Sequence, residues 1–107
     1  MTEPEASFDE LIHSPNRLRI CAALEASSEL EFAALEAGLG LSTSLLSKQL
    51  KLLVDAGYVE LDKRRQPIGR PRTWVRLTPI GRRSYRNHVA ALRRIVASPE
   101  RRATSRQ

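Results

Sequence analysis

One stretch, residues 41 to 59, limits the folds open to this chain more than any other. It reads LSTSLLSKQLKLLVDAGYV. The leucines that recur at the i, i+4, i+7 spacing of one helical face are Leu46, Leu50 and Leu53. Ser42 or Thr43 supplies a polar N-cap, and Gly57 is a natural stop after the last turn. The stretch predicts an amphipathic helix over residues 43–56.

The segments before this helix predict two further helices and a tight turn. Phe8, Leu11 and Ile12 fit a turn or two of helix. Ser14-Pro15, a cap followed by proline, opens a helix over residues 16–26. The apolar stripe predicted for that helix is Leu18, Cys21, Ala22 and Leu24. Residues 29–31 are too few for more than a small strand, a second helix spans residues 32–37, and the glycines Gly38 and Gly40 form the turn.

After Gly57 the period changes from helical to two. Val59 and Leu61 alternate with charged residues, which predicts a strand with one buried face. Residues 63–72 are basic and contain two prolines and a glycine, which is typical of a loop, and residues 73–77 form a second strand. These segments predict a β-hairpin with a long basic tip.

The predicted fold class is α+β, mainly α, in a single domain over residues 8–97. A second cap-plus-proline pair, Thr78-Pro79, opens the last helix, which spans residues 78–97. Residues 1–7 and the basic tail 98–107 are predicted to be disordered.

Charge is distributed unevenly along the chain. Residues 1–40 contain two basic and eight acidic side chains, whereas residues 41–107 contain sixteen basic and four acidic ones. Such asymmetry is a common feature of proteins that bind polyanions.

The second and third helices form a helix-turn-helix, a motif that places its second helix in the major groove of DNA. With the leucines facing inward, the outward residues are Thr43, Ser44, Ser47, Lys48 and Lys51. Thr43 and Ser44 lie at the helix start, where backbone N–H groups favour a phosphate. Ser47 and Lys48 are the expected base readers, and Lys51 is expected to meet phosphate.

The hairpin tip carries five cations within ten residues: Lys63, Arg64, Arg65, Arg70 and Arg72. Such a cluster repels itself in water but gains affinity against a phosphate backbone. Gly69-Arg70-Pro71 resembles the core of AT-hook peptides, without their preceding arginine, because Ile68 stands there. Insertion of Arg70 into the minor groove and simple phosphate contact both remain open.

These motifs together resemble a known family. Residues 41–59 resemble the recognition helix of bacterial and archaeal winged-helix repressors of the ArsR and MarR type. SPNRLRI at residues 14–20 is similar to their first helix, and LTPIGR at residues 77–82 is similar to the MarR-like C-terminal helix. GRPRTW at residues 69–74 resembles the wing of small stand-alone winged helix DNA-binding domain regulators. The resemblance, over residues 8–97, implies a three-helix core, a two-stranded wing and a double-stranded DNA target.

The last helix is longer than so small a core needs, which predicts a homodimer that reads an inverted-repeat operator. The resemblance to winged-helix repressors implies that the dimer acts as a repressor. The expected dimer contacts are Ile20, Tyr85, His88, Val89, Leu92, Ile95 and Val96. A winged-helix module for protein or RNA binding is the alternative. A protein-binding module would require an apolar patch in place of the lysines of residues 43–56.

Several classes are not expected. Cys21 has no cysteine partner, and His13 and His88 are isolated in sequence, so we predict neither a metal site nor a cofactor. The sequence contains no nucleophile–base pair and no phosphate-binding glycine loop, which argues against an enzyme. Neither a signal peptide nor a membrane span is evident, which predicts a cytoplasmic protein. A small-molecule effector would fit between the last and first helices, but the sequence does not identify one.

Overall fold

The computed structural model describes residues 5–97. The elements are, in chain order, α1 (Glu10–His13), α2 (Pro15–Glu25), β1 (Leu30–Glu31), α3 (Phe32–Leu39), α4 (Thr43–Asp55), β2 (Val59–Arg64), β3 (Arg72–Leu77) and α5 (Pro79–Ala97). This order is a winged helix, as predicted. The predicted disorder of residues 98–107, and of residues 1–4 within the segment 1–7, lies outside the described residues. Over residues 5–97, no helix combines the length and apolarity needed to span a membrane.

The core lies where α2, α3 and α4 meet the sheet. Its fully buried side chains include Leu24, Leu35, Leu46, Leu50 and Leu53. The leucine stripe of α4 is therefore confirmed. The stripe predicted for α2 is wrong by one position, because Ile20 is buried and Ala22 is exposed.

A buried polar link connects α4 to the start of the chain. Gln49 is buried beside the leucine stripe, and its Oε1 accepts a hydrogen bond from Arg17 Nη1 at 2.6 Å. Arg17 Nε donates to the carbonyl of Leu11 at 2.6 Å. One guanidinium from α2 thus connects α4 to α1 and satisfies an amide that would be costly to bury alone.

The turn between α3 and α4 begins at Gly40, whose φ of 67° is left-handed. Its N–H donates to the Glu36 carbonyl at 2.9 Å, which ends α3. Gly38 instead lies within the helix. Ser42 is the N-cap of α4, because its hydroxyl accepts from the Leu45 N–H at 3.1 Å.

The sheet has the strand order β1-β3-β2, with both neighbouring pairs antiparallel. The wing strands are longer than predicted, since Arg64 pairs with Arg72 and the loop is confined to residues 65–71. Val59 is buried as expected, but Leu61, on the same face of the edge strand β2, is 48% exposed, although its partner Val75 on the central strand is fully buried.

Helix α5 packs on the core through its first part only. Gly81, His88 and Ala91 are its buried residues, whereas residues 93–97 are exposed. The prediction that Ile20 and His88 form dimer contacts is wrong. Both are 0% exposed within their own chain and offer no surface to a partner.

Candidate nucleic-acid interface

The outward face of α4 carries the predicted polar residues, all of them exposed: Thr43, Ser44, Ser47, Lys48 and Lys51. They are exposed because the leucines on the opposite face are drawn into the core. The Thr43 hydroxyl donates to the Glu36 carboxylate, so this side chain ties α4 to α3. Ser44 lies 3.5 Å from the capping hydroxyl of Ser42.

The two lysines of α4 differ in their surroundings. Lys51 Nζ lies 3.0 Å from the Asp55 carboxylate one turn later, in an exposed pair of the kind that contributes little to stability. Lys48 makes no ion pair with any carboxylate of residues 5–97. Its charge is therefore the more available of the two.

A groove of about 360 Å³ joins α4 to the wing. Ser47 and Lys51 line it from α4, and Lys63 and Thr73 line it from the wing strands. Its floor is mainly apolar and includes Phe32, Leu50, Val54 and Leu61. The predicted contacts of α4 and the base of the wing therefore share one side of the molecule.

Arg64 is held at the base of the wing by several interactions. Its guanidinium donates to both oxygens of Glu29, at 2.9 and 2.7 Å, and to Asp62 at 3.0 Å. It also lies 5.0 Å from the ring centroid of Trp74. The hydrogen bonds from Arg64 lower the pKa of the Glu29 carboxylate, and those to Glu29 raise the pKa of Arg64. Predicted as a DNA contact, Arg64 is instead occupied in anchoring the wing.

Of the other predicted wing cations, one is paired with a carboxylate of the described chain and three are not. Arg72 lies 3.4 Å from the Glu31 carboxylate, across the sheet. Lys63, Arg65 and Arg70 are exposed and make no ion pair within residues 5–97. In the wing strands Arg64 and Arg72 are paired and Lys63 is not, whereas both arginines of the loop, Arg65 and Arg70, are unpaired among the described residues. Composition alone does not show this distinction.

The N-terminal segment forms a cluster that sequence reasoning missed. The Asp9 N–H donates to His88 Nδ1 at 2.9 Å, so Nδ1 is unprotonated and the Nε2 proton faces His13 Nδ1 at 3.2 Å. Phe8 lies 4.7 Å from both imidazole centroids. The histidines described as isolated in sequence are neighbours, because α1 folds back on α5. The sequence signal for the start of α1 is Asp9, a residue type that commonly caps helices.

Asp9 and Cys21 complete the surroundings of this cluster. One Asp9 oxygen caps α1 through the Ile12 N–H, and the other accepts from the Tyr58 hydroxyl at 2.6 Å. That hydrogen bond raises the pKa of Tyr58. Burial raises the pKa of the Cys21 thiol to about 12, which suits an inert packing residue. Within residues 5–97, no three candidate ligands converge as a metal site would require.

The remaining residues predicted for a dimer lie along one side of α5. Tyr85 is half-buried against the core, and Val89 and Leu92 are also half-buried. Ile95 and Val96 are exposed, Val96 by 75%. Apolar surface thus continues along α5 past the point where the chain's own core ends.

The structure is similar to several solved transcription regulators. A regulator homologue from Pyrococcus horikoshii OT3 matches with a TM-score of 0.76 and 24% identity, over 82% of this chain and 86% of that one. The ytfH regulator from Salmonella typhimurium gives a TM-score of 0.67 and 22% identity, over 92% and 87%. PcaV from Streptomyces coelicolor, in complex with its natural ligand, matches with a TM-score of 0.63 and 24% identity, over 92% of this chain and 72% of that one. The TM-scores show that these proteins share the fold of this chain, and at 22–24% identity the comparison extends no further than the fold.

The sequence has no significant match among curated proteins. A sequence model of the winged helix DNA-binding domain matches residues 16–96, which include α2, the helix-turn-helix, the wing and nearly all of α5. The chain belongs to the winged helix DNA-binding domain family.

Proposed function

We propose that this protein is a dimeric transcription repressor that binds an inverted repeat in double-stranded DNA. The observation that carries the proposal is the shared groove between α4 and the wing. The groove puts Ser47 and Lys51 beside Lys63, so one duplex would meet both elements at once. Membership of a DNA-binding family supports the same reading.

In the proposed complex, α4 enters the major groove. Lys48 donates to guanine O6 or N7, and Ser47 accepts or donates at a neighbouring base edge. Ser44 and the N-terminal N–H groups of α4 contact a phosphate, where the helix dipole favours negative charge. Thr43 contributes mainly through its bond to Glu36, which holds the start of the helix in place.

The wing supplies affinity more than base reading. Arg65 and Arg70 extend beyond the ion-paired base and reach the backbone or the minor groove of the same duplex. Each cation that meets a phosphate releases counterions, so these contacts depend on salt.

Dimerisation would come from the exposed end of α5. Pairing Leu92, Ile95 and Val96 with the same residues of a second copy would cover apolar surface that lies beyond the core. A two-fold axis would set two α4 helices about 34 Å apart, which matches successive major grooves.

Selection of duplexes from a random library tests the proposal. We expect the wild-type protein to enrich an inverted repeat, and Lys48→Ala to lose preference at one base position in each half-site, equivalent to about 1–3 kcal/mol. Lys51→Ala is the matched control, since its lysine is paired with Asp55 and should affect all sequences alike. Enrichment of no duplex, or binding of RNA or protein alone, would overturn the proposal.

A further inference from the structure

The tip of the wing presents an isoleucine to solvent. Ile68, in the loop between β2 and β3, is 91% exposed, more than any other large hydrophobic residue of the described chain. Ile68 is not part of the hydrophobic core. A single exposed aliphatic residue is unremarkable by itself, so its setting decides what it means.

Ile68 lies in a cationic loop whose arginines are not engaged in ion pairs with the part of the chain that the structure describes. Arg65 and Arg70 stand on either side of Ile68 in sequence, and neither makes an ion pair within residues 5–97. The arginines nearer the sheet, Arg64 and Arg72, are paired with Glu29 and Glu31. The fold therefore pairs the two arginines that flank the loop, Arg64 and Arg72, and leaves Arg65 and Arg70 unpaired with any described carboxylate on either side of the exposed isoleucine.

The backbone of the tip is constrained by two prolines and a glycine. Pro67 and Pro71 lock φ and remove two backbone donors, so strand pairing does not continue into the loop. Gly69 turns the chain with a φ of 92°, and a Cβ built there would meet nothing within 4 Å. The loop therefore combines two prolines of fixed φ with a glycine turn directly after the exposed Ile68.

We propose that Ile68 is an apolar wedge that enters the minor groove and opens a base step, so that the bound duplex bends. Arg65 and Arg70 hold the tip on the negatively charged groove, and the isoleucine leaves water as it contacts the base edges. The inference rests on the proposed DNA binding and adds a property which that proposal does not require, because phosphate contact does not involve the opening of a base step.

Base steps differ in how readily they open. Pyrimidine–purine steps such as TA unstack most easily, whereas A-tracts are stiff. A wedge at the wing tip therefore predicts a sequence preference outside the bases read by α4. We expect about a tenfold preference for TA over AA at the step beneath the wing.

Parallel selections with the wild type and Ile68→Ala test the wedge. We expect both proteins to enrich the same motif under α4, and only the wild type to enrich pyrimidine–purine steps at a constant distance from it. Identical flanking composition in the two pools would overturn the wedge and leave the proposed function standing. Failure of the wild type to enrich any duplex would overturn the proposed function itself.

Fluorescence energy transfer between the ends of a selected duplex gives a second measure. The wild type should raise transfer by bending the duplex, Ile68→Ala should lower it, and Ile68→Phe should restore it. Ile80→Ala is the control, since Ile80 is also exposed but lies at the start of α5. A straight duplex in the wild-type complex would refute the wedge.

Discussion

At the residue scale, Gly81 marks a close approach between α5 and the backbone at Tyr58. A Cβ placed there would lie 2.0 Å from the carbonyl oxygen of Tyr58. Thr78 supports the same contact, because its hydroxyl caps the Gly81 N–H at 3.0 Å and donates to the Gly57 carbonyl at 2.6 Å. The crowding atoms are backbone, so they cannot rotate away.

Gly81→Ala should therefore destabilise the domain by about 2–3 kcal/mol, since overpacking forces the backbone to shift. Gly38→Ala is a matched control within α3, where a Cβ meets nothing within 4 Å. That change should be neutral or stabilise by up to about 1 kcal/mol. Urea unfolding followed by circular dichroism measures both, and equal midpoints would contradict the steric argument.

Arg64 and Arg70 carry the same charge but should behave differently. Arg64 is occupied by Glu29 and Asp62, so Arg64→Ala should lower thermal stability and leave the salt dependence of DNA binding unchanged. Arg70→Ala should reduce the slope of log affinity against log salt by about 1 for each bound protomer. Titrations at several salt concentrations measure the slopes.

The opposite pattern would reverse these two roles. A reduced slope for Arg64→Ala with an unchanged slope for Arg70→Ala would mean that the base of the wing, rather than its tip, meets phosphate.

At the element scale, α1 is fastened to α5 by hydrogen bonds through His88. Burial and the neighbouring His13 lower the pKa of His88 below its usual 6.5, against opposite effects of Asp9 and Glu10. Protonation at Nδ1 would abolish the bond that this atom accepts from Asp9 N–H. The attachment of α1 is therefore sensitive to acid.

The sign of the pH effect follows from the direction of the pKa. Between the folded and unfolded pKa values of His88 the unfolded chain binds more protons, so stability is complete above pH 6.5 and declines below it. His88→Gln should cost about 1–2 kcal/mol at pH 8. The difference in unfolding free energy between this variant and the wild type should shrink toward pH 5, as measured by urea unfolding. A difference that stays constant with pH would contradict the role of His88.

At the scale of the whole molecule, the proposed dimer would depend on the exposed end of α5. Val96→Glu would place a charge in each half of a symmetric interface, and losing about 1.4 kcal/mol per copy would weaken the dimer about a hundredfold. Ile80→Glu is the control, at the opposite end of the same helix. Sedimentation equilibrium measures both; a wild-type protein that is monomeric at micromolar concentration would contradict the dimer.

Much of the architecture was predictable because its signals are local. The leucine spacing of α4, the cap at Ser42 and the cap-plus-proline start of α5 each act within a few residues. The change from a helical period to a period of two likewise marked where the wing begins. These patterns placed the helix-turn-helix and the hairpin in the correct order.

Predictions of exposure were less successful, because exposure depends on neighbours distant in sequence. Ile20 was expected at a dimer surface but is enclosed by the core, and Leu61 was expected inside but is 48% exposed on the edge strand β2. Both errors have the same cause. The spacing of apolar residues predicts which of them share a face of a helix or strand, but it does not predict which other elements cover that face.

Local patterns along the chain were sufficient to predict the elements, their order and the basic character of the second half of the chain. Which arginines are neutralised depends on the folded arrangement, because Glu29 and Arg64 are 35 residues apart in sequence. The folded arrangement also brought His13 to His88, which are 75 residues apart, and left Ile68 alone at the wing tip. Local spacing specifies helices and strands, whereas pairing of charges and burial of polar groups follow from which elements come together in the folded chain.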